Sequence, residues 1–407
     1  MKIDLLNNKC FTGGQPHDQF DWLRENSPIH WQDLPNGEGL WLLTRFQDIY
    51  EVNRNFERFT STKGVIYPCE MKERFGWQKD QEAEHNFRMM LEMDPPLHTD
   101  YRKLIRKELS KRAAEDYIPR TKEFAKMIID DVIDSGHCNF VRDVAGKMAG
   151  LVIADLMGLP LKDSLKLYEF TELFHSPVGY LDKETQEERL QAFGDYVGAI
   201  ADEKRANPGN DLTSKLLLSE ISNTPINFED FALQFLLMIN GGTDTARNII
   251  AVGLTELLDH PKQHQWLMED LDNRIPLARE EMLRWISPVV YQCRTATEDT
   301  ILGNQKIKKG DILAMYFGAA NRDPEKFSNP HTFDVSRTAN SHIAFGGGHH
   351  ICLGQWLARA EIDAMLYEVL KRLHNIKILG EVKWLQSNFV FGLAEMNITF
   401  DPQLASP

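Results

Sequence analysis

A mainly α-helical fold with small β-sheets is predicted by three features of the 407-residue chain. From about Asp94 to Trp285, apolar residues recur mostly at the three- and four-residue spacing of a helix face. One apolar stretch, from Phe228 to His260-Pro261, suits a helix of about 32 residues, roughly 48 Å at 1.5 Å per residue, which must cross the core. Strand-like alternation is confined to short pieces: Leu40–Thr44, Tyr291–Phe317 and the tail from Val382 to Phe400.

The elements follow in order. A β-containing region occupies about residues 1–60, mixing strand-like pieces with short helices. The helical core spans about 94–285 and opens with Asp94-Pro95-Pro96, a helix-start signal. The segment that follows reads as a helix bearing Arg102, Lys103, Arg106, Lys107, Lys111 and Arg112, several on one face at i, i+4 spacing. Asn227 is placed to cap the long helix, since its side-chain oxygen can accept from a first-turn N–H. The strands of 291–317 turn at Gly303-Asn304, and a further helix begins near Cys352 and runs to about His374. With no linker, internal repeat or low-complexity run, one domain over 1–407 is expected.

Bulk properties exclude several functions. A net charge of −14 disfavours broad nucleic-acid binding, although the basic run at 102–112 opposes the global sign locally. No apolar run approaches the roughly 18 residues needed to span a bilayer, and Met1–Asn8 lacks the charged-then-apolar order of a secretory signal. Five scattered cysteines, Cys10, Cys69, Cys138, Cys293 and Cys352, do not form a disulfide framework, so a reducing, cytoplasmic location is expected.

Chemistry concentrates in Phe345-Gly346-Gly347-Gly348-His349-His350-Ile351-Cys352-Leu353-Gly354. Glycines let the backbone curl until its N–H groups face the sulfur, and the start of the next helix adds partial positive charge, both favouring a thiolate ligand. A zinc site from His342, His349, His350 and Cys352 is a rival, but these ligands crowd one loop without a second pair at zinc spacing. The string resembles the haem-binding loop of the cytochrome P450 family, Phe-Gly-x-Gly-x-His-x-Cys-x-Gly, at each fixed position. That resemblance implies a P450 fold, with haem b between a long distal helix and the Cys352 loop. Cys352 would be the iron ligand, with Phe345, Gly346 and Gly354 shaping the loop.

In the middle of the long helix stands Gly241-Gly242-Thr243-Asp244-Thr245-Ala246. As plain structure, the glycine pair would let helices approach closely and Thr245 would bond to a carbonyl one turn earlier. The sequence also resembles the family's acid–alcohol motif, which implies that Gly241 lies close to the cofactor. Thr245 and Asp244 would then handle the two protons that O–O cleavage requires. Ala246 departs from the hydroxyl residue the family often carries there.

The resemblance assigns further roles. Glu281 and Arg284, one helical turn apart, would join Arg337 in a structural ion network. His98, Arg102, Arg294 and His350 would partner the two haem carboxylates, which are costly to bury unpaired. The distal pocket maps to the loop Thr62–Met93, the region 170–181, and Leu237, Val289, Val290, Gln292, Phe389 and Val390. It implies hydroxylation of a hydrophobic small molecule such as a steroid, isoprenoid or fatty acid by O2. Electrons would come from a separate ferredoxin and an NAD(P)H-dependent ferredoxin reductase, the ferredoxin docking on the basic run. Three alternatives stay open. The polar run Cys69–Phe75 and Gln292 allow O-demethylation of a methyl ether such as a methylated sugar, and a peroxygenase or a non-catalytic haem ligand binder would use the same loop.

Overall fold

The computed structural model describes residues 1–34, 38–67, 89–175 and 182–402, with side chains of 172–175 and 402 left aside. Seven helices carry the argument: α1 Leu97–Ile105, α2 Lys111–Ile133, α3 Lys147–Leu156, α4 Ser164–His175, α5 Phe228–Asp259, α6 Leu271–Ile286 and α7 Gln355–Arg372. Others include Phe46–Arg54 and Lys183–Ala206.

The long helix forms as its ends dictate. Asn227 Oδ1 accepts from Asp230 N at 2.8 Å, Glu229 and Asp230 favour the first turn electrostatically, and His260-Pro261 ends the run after 32 residues. The basic stretch at 102–112, read from sequence as one helix, is two. α1 stops at Ile105, and Ser110 opens α2 by accepting from Ala113 N at 3.3 Å. The competing cap wins because it satisfies a first-turn N–H that a continuous helix would have bonded internally.

A five-stranded sheet lies beside the helices in the order β1 Ile29–Asp33, β2 Gly39–Leu43, β5 Ile312–Tyr316, β4 Tyr291–Ala296 and β3 Phe59–Thr60. β2 and β5 run parallel and the other neighbours antiparallel, with Arg294 opposite Leu313 and Gln292 opposite Met315. A three-stranded sheet joins Leu373–Ile378, Asn397–Pro402 and His137–Asn139.

The apolar core divides along α5. Its N-terminal half, with Phe231, Phe235, Leu236 and Ile239, packs into one cluster with Met90, Met93, Ile153 and Phe170. Its C-terminal half, from Ile249 to Leu257, joins the larger cluster built on α2, α6 and α7. Residues 240–248 lie where the two cores meet, so the polar residues of α5 are held between two rigid blocks.

One buried carboxyl stands apart. Glu361 of α7 is 3% exposed, its Oε1 has no hydrogen-bond partner, and burial pushes its pKa up to about 8. A carboxyl raised in the fold above its unfolded value favours folding fully below about pH 4.5, and that stability is lost as pH rises toward 8. Glu361→Gln is therefore expected to stabilise the protein by about 3 kcal/mol at pH 7 and by almost nothing at pH 4. Urea midpoints at the two pH values measure this, and an equal effect at both would contradict it.

Candidate active site

The loop before α7 folds around its glycines. Gly346 and Gly348 have φ of +68° and +62°, and a Cβ on Gly348 would lie 2.1 Å from Asn53 O, so only glycine fits there. Cys352 N donates to Phe345 O at 2.9 Å, which closes the loop and leaves the half-buried Cys352 at the mouth of α7. Burial pushes the Cys352 thiol up. The Gly354 N–H and the charges of Arg102 and Arg359 act the other way and favour the thiolate. Among the described residues, no group of three or more His, Cys, Asp or Glu side chains is arranged to hold a metal ion. The zinc alternative loses its geometry: His342 turns to Glu280 Oε2 at 3.1 Å, and His349 meets Phe56 edge to face with ring centres 4.8 Å apart.

Beside this loop the structure brings His98, Arg102, Arg294 and His350 together. The His98 and His350 rings are 4.3 Å apart, and Arg102 Nη2 donates to Ile351 O at 2.7 Å. Burial, with the neighbouring cations, lowers His98 to about 4 and His350 to about 2, and burial takes Arg294 down to about 10. Arg294 Nη1 donates to Cys293 O at 2.7 Å, while the buried Nη2 has no hydrogen-bond partner. Two residues missed from sequence support the cluster: Ser61 Oγ lies 3.1 Å from His350 Nε2 and donates to Asp94 Oδ1 at 2.6 Å. Their separation of 289 and 33 positions leaves no local signal for either contact.

On α5 the two glycines have different jobs. A Cβ on Gly242 would come within 2.7 Å of Ile153 Cδ1, so this glycine admits α3. A Cβ on Gly241 would meet nothing within 4 Å, and Gly241, Thr245 and Leu237 form a partly open stripe on a helix otherwise mostly enclosed. The helix is continuous through the pair, so the space comes without a break. Thr245 Oγ1 donates to Gly241 O at 3.0 Å. Asp244 is buried and pairs with Arg247 at 3.3 Å, and Arg247 in turn donates to the Tyr168 hydroxyl of α4. Its carboxylate is thus tied to a cation three residues along, a partner legible in the i, i+3 spacing but not drawn from it.

Of the proposed pocket residues, Leu237, Val289, Gln292 and Phe389 keep partial exposure, whereas Val290 and Val390 are enclosed in the core. The segments 288–291 and 389–391 are knitted by a Val289–Val390 bridge and by Val290 N to Phe389 O at 2.9 Å. Most of the loop 62–93, including the charged run Cys69–Phe75, and residues 176–181 lie outside the described residues.

Glu281, Arg284 and Arg337 meet as expected. Arg284 Nη2 and Nε reach Glu281 at 2.7 and 2.8 Å, both out of solvent, and Arg337 Nε reaches the same carboxylate at 3.1 Å from the rim.

The cytochrome P450 family model matches residues 152–393, and this span includes α5, α6 and the Cys352 loop. The chain belongs to the cytochrome P450 family. It is 32% identical to a steroid C26-monooxygenase of Mycolicibacterium smegmatis over 98% of this chain and 96% of the relative. It is 31% identical to a linalool 8-monooxygenase of Pseudomonas putida over 98% and 99%. A Mycobacterium marinum cytochrome P450 solved in complex with pseudoionone superposes with a TM-score of 0.89 at 32% identity, covering 98% of this chain and 99% of that one.

As a P450 the protein is a monooxygenase that uses haem b with an axial cysteine thiolate. The residues present fit that group. A buried guanidinium with an unpartnered Nη2, set among two histidines and Arg102, is unfavourable by itself and suited to carboxylates. Among the described residues, no helix is long and apolar enough to cross a membrane.

Proposed function

We propose that Cys352 supplies the axial thiolate and that this P450 hydroxylates an unactivated C–H bond of a hydrophobic small molecule. The observation that carries this reading is the partly open stripe Leu237–Gly241–Thr245 of α5, which combines an apolar face with one hydroxyl. The relatives named for steroid, linalool and methyl-branched lipid substrates act on molecules of this kind, and they favour it over a methylated sugar.

When bound, haem supplies the cleavage of O2 with two electrons and two protons, one oxygen entering the substrate and the other leaving as water. His98, Arg102, Arg294 and His350 would hold its carboxylates. Thr245 would hold a proton at Oγ1 by turning its hydroxyl from Gly241 O into the open space. Asp244, paired with Arg247 at 3.3 Å, would relay a proton from water to that hydroxyl, accepting one before passing one on. Leu237, Val289 and Phe389 would exclude water and orient the substrate.

The electron donor would be a separate ferredoxin, itself reduced by an NAD(P)H-dependent reductase. Lys103, Arg106, Lys107, Lys111 and Arg112 are exposed, and Lys111 lies over the Trp356 ring at 5.4 Å, four residues beyond Cys352. An acidic surface would dock there.

Thr245→Ala tests the catalytic part. With a hydrophobic substrate that shifts the spin state, the variant is expected to bind unchanged and consume NAD(P)H. Hydroxylated product should fall by up to about 10²-fold while peroxide rises. Product per NAD(P)H unchanged from wild type would remove Thr245 from proton delivery, and spin-state shifts with methylated sugars alone would overturn the substrate class.

A further inference from the structure

Arg359, seven residues after Cys352, is held in a way that the haem-loop motif does not explain. Its Nε and Nη2 reach Glu280 of α6 at 2.7 and 2.9 Å, a two-pronged pair. Glu280 also accepts from Arg279 at 2.8 Å and faces His342 at 3.1 Å, while Arg279 is paired with Asp363. The guanidinium lies 4.5 Å from the centre of the Phe345 ring and 5.1 Å from that of Trp356. Phe345 O is the acceptor that closes the loop on Cys352 N, so the cation covers the turn that carries the sulfur. Arg359 Nη1 is further tied to Gln355 O at 3.1 Å and to Gln355 Oε1 at 3.3 Å in the first turn of α7.

Five groups therefore hold one positive charge beside the loop, and one negative charge stands directly behind it. A salt link serving only to join α6 to α7 would not need the cation held against two rings, one of them in the Cys352 loop. We infer that Arg359 is a positioning residue that sets the charge felt by the Cys352 sulfur, and that Glu280 sets how much of that charge is expressed. This rests on the assignment of Cys352 as ligand.

A nearby cation favours the state with one more electron, and the carboxylate behind it offsets the effect. Removing each partner should thus move the haem reduction equilibrium in opposite directions. In spectroelectrochemical titrations of haem-loaded protein, Arg359→Gln is expected to lower the reduction equilibrium constant by about tenfold, 59 mV for one electron. Glu280→Gln is expected to raise it, and Arg359→Lys, which keeps the charge without the fork, to return most of the way to wild type.

Shifts of the same sign in the two glutamine variants, or none, would overturn the inference, because a purely structural link predicts no inversion. Arg359→Lys behaving like Arg359→Gln would overturn it as well. Should Arg359→Gln fail to hold haem, Glu280→Gln decides alone: an unchanged or lowered constant refutes the proposal. Failure of the ligand assignment is read separately, as a thiolate-type spectrum that survives in Cys352→Ser.

Discussion

Cys352→Ser is expected to eliminate the thiolate-type Soret band of the dithionite-reduced protein under carbon monoxide and, with it, substrate hydroxylation. Serine differs by one atom and preserves the Cys352 N to Phe345 O bond of 2.9 Å, so the loop should keep its shape. The donor changes from a thiol, drawn toward ionisation by the Gly354 N–H, Arg102 and Arg359, to a hydroxyl that those groups cannot ionise near neutral pH. The loss should exceed the roughly 10- to 100-fold that follows removal of an outer-shell partner, since the axial donor itself is gone. Among the described residues, the other cysteines are poor substitutes. Cys138 is pushed up to about 12 by burial and Cys293 is enclosed within β4, while Cys10 lies near the N-terminus, its thiol also raised. A band that persists in Cys352→Ser would place the ligand elsewhere, whereas folded protein that takes up no haem in wild type would sink the assignment altogether. Circular dichroism of the haem-free variant separates a missing ligand from a missing fold.

What could be read from sequence divides by range of interaction. Local chemistry was legible. The Asn227 cap and Pro261 bracket α5, and the Gly346-Gly347-Gly348 turn and the Glu281–Arg284 spacing are features of a few adjacent residues that the structure reproduces. Where two local signals competed, the reading erred: helical periodicity through 102–112 concealed the Ser110 cap that divides α1 from α2. Contacts between distant segments left no trace. Arg359 meets Glu280 across 79 positions, and Ser61 meets His350 across 289, so only the packing of α6, α7 and β3 reveals them. Of the six residues expected in the pocket, Leu237, Val289, Gln292 and Phe389 keep partial exposure while Val290 and Val390 are buried. Alternation along 288–291 separates Val289 from Val290, but the bridge that sets Val390 opposite Val289 joins distant segments and is written in neither. Asp244 differs: its residue type suggests proton transfer, and its pairing with Arg247 lies within the i, i+3 spacing of one helix.

Glu281→Gln should be the most damaging substitution away from the cofactor. The carboxylate is fully buried and receives Arg284 at 2.7 and 2.8 Å, Arg337 at 3.1 Å, Asn340 Nδ2 at 3.1 Å and Asp334 N at 2.9 Å. Glutamine retains one acceptor oxygen, removes the only formal negative charge among these five groups, and turns an amide N–H toward guanidinium N–H groups. Arg284, fully enclosed, would keep carbonyl contacts to Asn321, Pro330 and Thr332 but lose its counter-charge. Stranding one partner of a buried pair costs about 3–5 kcal/mol, against a total stability of about 5–15 kcal/mol for a folded protein. The consequence reaches the active site through the chain. Arg337 also donates to Ser328 O at 2.7 Å and Asn329 O at 3.2 Å, so the network holds residues 321–340, which lead directly into the Cys352 loop. Glu281→Gln is thus expected to express mostly as insoluble or haem-poor protein, and any soluble fraction should unfold at markedly lower urea. Arg337→Lys, at the 9% exposed rim of the network, retains the charge and should lose only part of that stability. A urea midpoint for Glu281→Gln equal to wild type would show that the cluster orients nothing of consequence, and equal losses in the two variants would show that the forked geometry at Arg337, rather than the buried charge of Glu281, carries the stabilisation.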